Sequence, residues 1–298
     1  MSEVRSLRQR RVRRNFAHAA ANYESFAVLS REVLARMLER VAIMQLMPRR
    51  ILDLGSGTGM ATRAMAERYR AADLIALDLS LPMLQQQSER SRWRRTLRLM
   101  RGGSRRSSVC ADFEQLPLRT DSIDMVVSNL ALHWSGDIAR AFAEAGRVLR
   151  TRGLFVFSTF GPDTLKELAH ATADTSGGTP VHSFIDMHDL GDALVASGFS
   201  DPVMEMEQLT LTYQSLDALL RDLKGAGGSS TRAATGLRTA RWRARIAERY
   251  EALRREGRLP ATFEIVYGHA WKAERRTPAR ADGLAVIEFQ PRRRKGKV

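Results

Sequence analysis

Apolar residues along the 298-residue chain fall into two rhythms. Ile51-Leu52, Leu74-Ile75-Ala76-Leu77, Ser108-Val109-Cys110-Ala111, Ile123 to Ser128 and Gly153 to Ser158 are short and nearly continuous. Runs of this kind suit parallel strands buried on both faces. Helical spacing fills the gaps. Val28, Leu29, Val33, Leu34, Met37, Leu38 and Val41 form one stripe of a helix over 15–46, which Pro48 ends. Met60 to Tyr69 predicts a second helix, and 137–149 a third with Ile138, Phe142 and Leu149 inward. Beyond Phe160 the pattern loosens. A helix starting at Asp163 or Thr164 is expected, then a helix over 186–197 stopped by Gly198 and a long strand over 203–213. A short helix over 216–224 closed by Gly225, a charged helix over 238–255 and a last strand over 263–271 complete the chain. Strands alternating with helices predict an α/β fold with a parallel sheet, then a helix-rich connection and two late strands.

The first strand carries the candidate chemistry. It ends in Asp53 and runs into Gly55-Ser56-Gly57-Thr58-Gly59, directly ahead of the second helix. Alternating glycines let backbone approach a ligand closely, and a helix N-terminus favours electronegative groups. The dinucleotide fingerprint G-x-G-x-x-G would need a glycine after Gly59, and the chain has Met60. Asp78 ends the second strand, one crossover helix later, where an acid can accept from both ribose hydroxyls; Met83 would then sit beside the nucleoside. Asp78 also reads as a helix cap, although Ser80 with Pro82 in the first turn fits that role better. Asp112-Phe113, after the third strand, offers an acceptor for an adenine amino group and a ring against the base. Asn129 and His133-Trp134 follow the fourth strand. In an open parallel sheet that is where a reacting centre lies, so His133 is the catalytic candidate.

Composition changes this picture little; charge changes it more. Residues 1–14, 90–106 and 272–298 together hold 23 basic residues against 4 acidic ones, more than the whole net charge of +15. The body is therefore mildly acidic, and the basicity belongs to two tails and an inserted loop at 93–106. Such segments are solvated, with the tails expected to be disordered, or meet an acidic partner. They hold few aromatic residues, so no stacking platform for single strands is expected. No apolar run reaches membrane length, which predicts no membrane partner. Cys110 is alone, and the six histidines lack ligand spacing, so neither a disulfide nor a metal is expected.

Asp53 to Gly59, Asp78, Asp112-Phe113 and Asn129 together resemble a class I S-adenosylmethionine site. Longer segments resemble the malonyl-[acyl-carrier-protein] O-methyltransferases of biotin synthesis, the BioC family. These are Phe16, Ala19-Ala20, Tyr23-Glu24 and Ala27, then 128–134, 160–168, Leu223-Lys224-Gly225, 259–264 and 268–272. Ser30 and the loop at 93–106 depart from the pattern. The resemblance implies a Rossmann-like class I methyltransferase fold with a mostly parallel seven-stranded sheet, an N-terminal helical lid and a helical cap. The domain would span 15–272 between basic tails at 1–14 and 273–298. It implies S-adenosylmethionine as co-substrate, held by Asp53, Gly55, Ser56, Gly57, Gly59, Asp78, Leu79, Met83, Asp112, Phe113 and Asn129. It implies methyl transfer to the free carboxylate of a malonyl thioester on acyl-carrier protein. Tyr23, Trp134 and Lys224 are the substrate candidates, and a monomeric bacterial cytoplasmic enzyme is expected. A related branch, the mitochondrial complex I assembly factors, shares part of these segments and is linked to arginine hydroxylation. A nucleic-acid methyltransferase would explain the charge, but the chain reads Ser128-Asn129-Leu130-Ala131 where an N-P-P-Y-type segment would stand.

Overall fold

The run Ile51 to Leu54 is wholly buried, in strand β1 (Arg50–Leu54). A computed structural model of the chain describes residues 2–87, 105–173, 181–228 and 240–274. Around β1 lie β2 (Asp73–Asp78), β3 (Arg106–Cys110), β4 (Ile123–Asn129), β5 (Leu149–Phe160), β6 (Phe199–Tyr213) and β7 (Leu259–Lys272). The seven form one sheet in the order β3-β2-β1-β4-β5-β7-β6. The first five pair in parallel; β7 runs antiparallel to both neighbours. The order reverses between β1 and β4. There the carboxyl ends of neighbouring strands, with Asp53, Asp78 and Asn129 on them, open the crevice that α/β sheets use for ligands.

Helices cover both faces because the central strands are apolar on both. One face packs α3 (Val28–Ala42) and α4 (Met60–Arg68) with α6 (Lys166–Thr172), α8 (Leu216–Gly225) and α9 (Ala240–Glu251) through Val33, Met37, Met65, Leu168, Leu219 and Tyr250. The other packs α5 (Ile138–Val148) and α7 (Met187–Ala196). Asp137 caps α5 by accepting from the Arg140 N–H, and Phe142 meets Phe155 and Phe157 at ring separations of 5.7 and 5.5 Å.

The chain start differs from the sequence expectation. Residues 2–14, expected as a disordered tail, belong to α1 (Ser2–Ala19), with Val12 buried. The single helix expected over 15–46 is broken after Ala19, re-forms as the short α2 (Tyr23–Phe26) and resumes in α3. The break lets the lid bend over the crevice. Its far end is fixed to the sheet: Arg40 donates to Glu205 at 2.9 Å and lies 4.1 Å over the Tyr267 ring, and Arg36 pairs with Glu207. Most of the basic loop at 93–106 and nearly all of the tail at 273–298 lie outside the described residues. Arg106, expected in that loop, starts β3.

Candidate active site

The glycine turn is shaped by backbone demands that its sequence meets. Gly55, Gly57 and Gly59 have φ of 75°, 53° and 84°, where side chains are strained. A Cβ on Gly55 would lie 2.3 Å from Ala131. The N–H groups of Gly55 and Ser56 both donate to the Leu77 carbonyl, which hooks the turn onto the end of β2. Gln87 closes it from above, donating to Ser56 Oγ at 2.9 Å and to the Gly57 carbonyl at 2.8 Å.

Three acids edge the crevice. Asp53 is 1% exposed. Its Oδ2 accepts from the Thr62 hydroxyl, while its Oδ1 is buried without a hydrogen-bond partner. Burial lifts its carboxyl from 3.8 to about 7, against the Thr62 hydrogen bonds, with the Asp78 charge adding to the rise. Asp78 accepts from Gly57 N–H and Ser80 N–H, both at 2.8 Å. Burial raises its carboxyl, and these two bonds oppose the rise. Asp112 accepts from the Glu114 N–H at 2.9 Å and from the Gln9 side chain of α1. The neighbouring Glu114, 2% exposed, accepts from Ser135 Oγ at 2.7 Å and Gly136 N–H at 2.6 Å. That acid fixes the Asp112 loop to the segment carrying His133 and Trp134. An unpartnered buried carboxylate oxygen beside two further acids suits a ligand that brings a cationic group and hydrogen-bond donors.

The remaining sequence candidates take mixed positions. Met83 is fully buried, and Leu79 lends its carbonyl to the Cys110 thiol at 3.7 Å. Phe113 packs against the core layer under α5. Asn129 is held from two sides, its Oδ1 accepting from Ser158 at 2.9 Å and its Nδ2 donating to the Ser30 carbonyl of α3 at 3.0 Å.

His133, Trp134, Tyr23 and Lys224 all line one pocket of about 310 Å³ between lid and cap. They come from three distant stretches of the sequence, and the fold brings them together. The His133 ring lies 4.7 Å from Phe160, 4.9 Å from Trp134 and 5.8 Å from Phe184; Phe16 meets Trp134 edge-on at 5.4 Å. Burial raises the Tyr23 phenol against a hydrogen bond with Ser30, and the Asp78 charge adds to the rise.

Several contacts carried no local signal. Glu24, beside Tyr23, accepts from the Thr58 hydroxyl and from Arg63, both at 2.9 Å, and so pins the lid to the glycine turn. Phe26 sits where a Cβ on Gly225 would lie 2.3 Å from its ring, and Phe16 likewise at 2.5 Å from one on Gly227. His182, Phe184, Tyr213 and Asp222 also line the pocket. Among the described residues no His, Cys, Asp and Glu cluster has metal-holding geometry, and no helix is long and apolar enough to cross a membrane.

Residues 52–157 match the family described as "Methyltransferase domain". A putative methyltransferase from Bacillus halodurans has a similar fold, with a TM-score of 0.57 and 17% identity over 81% of this chain and 99% of that one. A protein of Gallionella capsiferriformans named Malonyl-[acyl-carrier protein] O-methyltransferase is 50% identical over 93% of this chain and 94% of its own length. One of the same name from a Methylovorus strain is 46% identical over 95% of both. With the seven-stranded sheet, the glycine turn and likeness over almost the whole length, the chain belongs to the malonyl-[acyl-carrier protein] O-methyltransferase family.

Proposed function

We propose that the chain methylates the free carboxylate of a malonyl thioester carried on acyl-carrier protein, with S-adenosylmethionine as co-substrate. When bound, S-adenosylmethionine supplies an electrophilic methyl group on a positively charged sulfur. Asp53 Oδ1 would take its ammonium group, Asp78 the ribose hydroxyls and Asp112 the adenine amino group, with Gly57 and Ser80 holding Asp78 in place. The carboxylate to be methylated is already ionised near neutral pH, so the site needs no general base. What the chain must supply is position and a dry setting. The observation that carries this reading is an apolar, ring-lined pocket joined to the acid-edged crevice through the lid: Tyr23 lines the pocket, and the next residue, Glu24, accepts from Thr58 of the glycine turn. Removing water from a carboxylate raises its reactivity, and holding it in line supplies the orientation. A tight buried cation on the carboxylate would work against transfer by stabilising the starting state. Neutral partners are a better match. Tyr23 keeps its proton and is such a partner.

The carrier protein reads as the acidic partner that the basic segments await. Arg10, Arg13 and Arg14 are exposed on α1, beside the lid. Opposite charge at such an entrance speeds encounter more than it deepens binding. The ester product masks a polar end, which suits further chain extension in biotin assembly.

Incubation with methyl-labelled S-adenosylmethionine tests the reading against its rivals. Label is expected on malonyl-carrier protein and not on RNA or on a protein extract. Label on RNA or extract protein alone would overturn it.

A further inference from the structure

One anionic side chain among the residues lining the apolar pocket has no place in the reading above. Asp222 lies on α8 and lines the pocket together with Tyr213 at the end of β6. The Tyr213 hydroxyl donates to Asp222 Oδ2 at 3.0 Å. Burial raises the Tyr213 phenol, and the neighbouring Asp222 charge raises it further, so this hydroxyl stays a donor. A charge placed against apolar surface is costly unless hydrogen bonds satisfy it. Tyr213 satisfies one oxygen, and an ionised carboxylate accepts on both. A ligand that displaces water from the other oxygen of the half-buried Asp222 gains by bringing a donor to it and by keeping its own anion away.

The pocket is larger than the acyl group it would serve. Its volume of about 310 Å³ is room for roughly ten water molecules at about 30 Å³ each. A three-carbon malonyl unit leaves much of it open. That unit also has no donor to offer: its carboxylate is ionised and its thioester carbonyl only accepts. Moving away from the thioester sulfur, the first N–H belongs to the nearest amide of the carrier's pantetheine arm.

We propose that Asp222, held by Tyr213, accepts a hydrogen bond from this amide and so fixes which end of the substrate points toward Tyr23 and His133. The inference rests on the malonyl-carrier reading. Its negative charge repels the substrate carboxylate from α8, and its acceptor captures the arm. Asp222 is thus a specificity residue that reads the arm instead of the acyl group. Lys224, on the same helix and exposed, lines the same pocket.

The test compares two malonyl-carrier proteins. One carries the natural arm. The other has an ester in place of the amide nearest the sulfur, which keeps the shape and removes the donor. For the wild type, kcat/KM on the amide arm is expected to exceed that on the ester arm by about tenfold or more, the scale of a hydrogen bond to a charged acceptor. In Asp222→Ala that ratio should fall to about one. Asp222→Asn, which keeps an acceptor oxygen, should restore part of it, and circular dichroism checks that each variant folds. A ratio unchanged in Asp222→Ala while the wild type still methylates malonyl-carrier protein would overturn this inference alone. No methylation of the natural carrier by the wild type would overturn the substrate reading and this inference with it.

Discussion

Replacing Asp53 by asparagine separates the charge of this carboxylate from its shape. In the folded chain Asp53 is buried, with Oδ2 on the Thr62 hydroxyl and Oδ1 without a partner. Its pKa rises from 3.8 to about 7, mainly through burial. Below about pH 4 the carboxyl is protonated in both the folded and unfolded chain, and it costs nothing. Between about 4 and 7 the folded chain keeps a proton that the unfolded chain has lost, so stability falls as pH rises. Above about 7 both are ionised and the cost is complete. Those roughly three pH steps, at 1.36 kcal/mol each, amount to about 4 kcal/mol. Asparagine has no charge to desolvate but buries an N–H where Oδ1 now lies, at about 1–3 kcal/mol, at every pH. The difference between variant and wild type should therefore move in favour of Asp53→Asn by about 3 kcal/mol from pH 5 to pH 8. Urea unfolding at intervals across that range, without cofactor, measures it. Saturating S-adenosylmethionine should narrow the gap at pH 8, because its ammonium would neutralise the wild-type carboxylate. A variant-minus-wild-type difference that stays flat from pH 5 to pH 8 would refute the argument, since an ordinary ionised carboxylate gives no such slope.

Asp78→Ala removes an acceptor and strands the N–H groups of Gly57 and Ser80. Calorimetry should find cofactor affinity weakened by about a hundredfold or more, and unchanged affinity would sink the ribose assignment. His133→Ala loosens the ring cluster of Phe160, Trp134 and Phe184 without touching the acids. Turnover should drop by about tenfold as positioning is lost, while the cofactor dissociation constant stays at its wild-type value. In Gly225→Ala the new methyl would lie 2.3 Å from the Phe26 ring. The lid must shift, at about 1–3 kcal/mol for overpacking, and steady-state kinetics should register a raised KM for the carrier-bound substrate with cofactor affinity intact. Reversing Arg10, Arg13 and Arg14 to glutamate should raise the same KM and flatten its salt dependence; equal effects on a malonyl thioester lacking the carrier would point away from docking.

The sheet and its acid-edged crevice were legible in the sequence because they rest on local rules. Buried parallel strands must be apolar, a tight strand–helix turn needs positive φ, and ligands meet strands at their carboxyl ends. Asp53, the three glycines, Asp78 and Asp112 follow from those rules, each placed by its own few neighbours. The broken lid was not legible. Residues 15–46 read as one helix with its apolar stripe over Val28 to Val41, and the break at Ala20–Asn22 is set by contacts far away in sequence: Glu24 on Thr58 and Arg63, and Phe26 and Phe16 against Gly225 and Gly227. The same distance hid Val12, buried in what read as a charged tail, and Gln9 on Asp112. His133, Trp134, Tyr23 and Lys224 were nameable one by one, but that they share a pocket with Phe184, Tyr213 and Asp222 depends on how β6 and the helices after β5 return over the sheet. Local propensity decides which residues form a strand or a turn. Which side chains converge on one cavity is decided by packing between segments a hundred or more residues apart, and here only the tertiary structure records it.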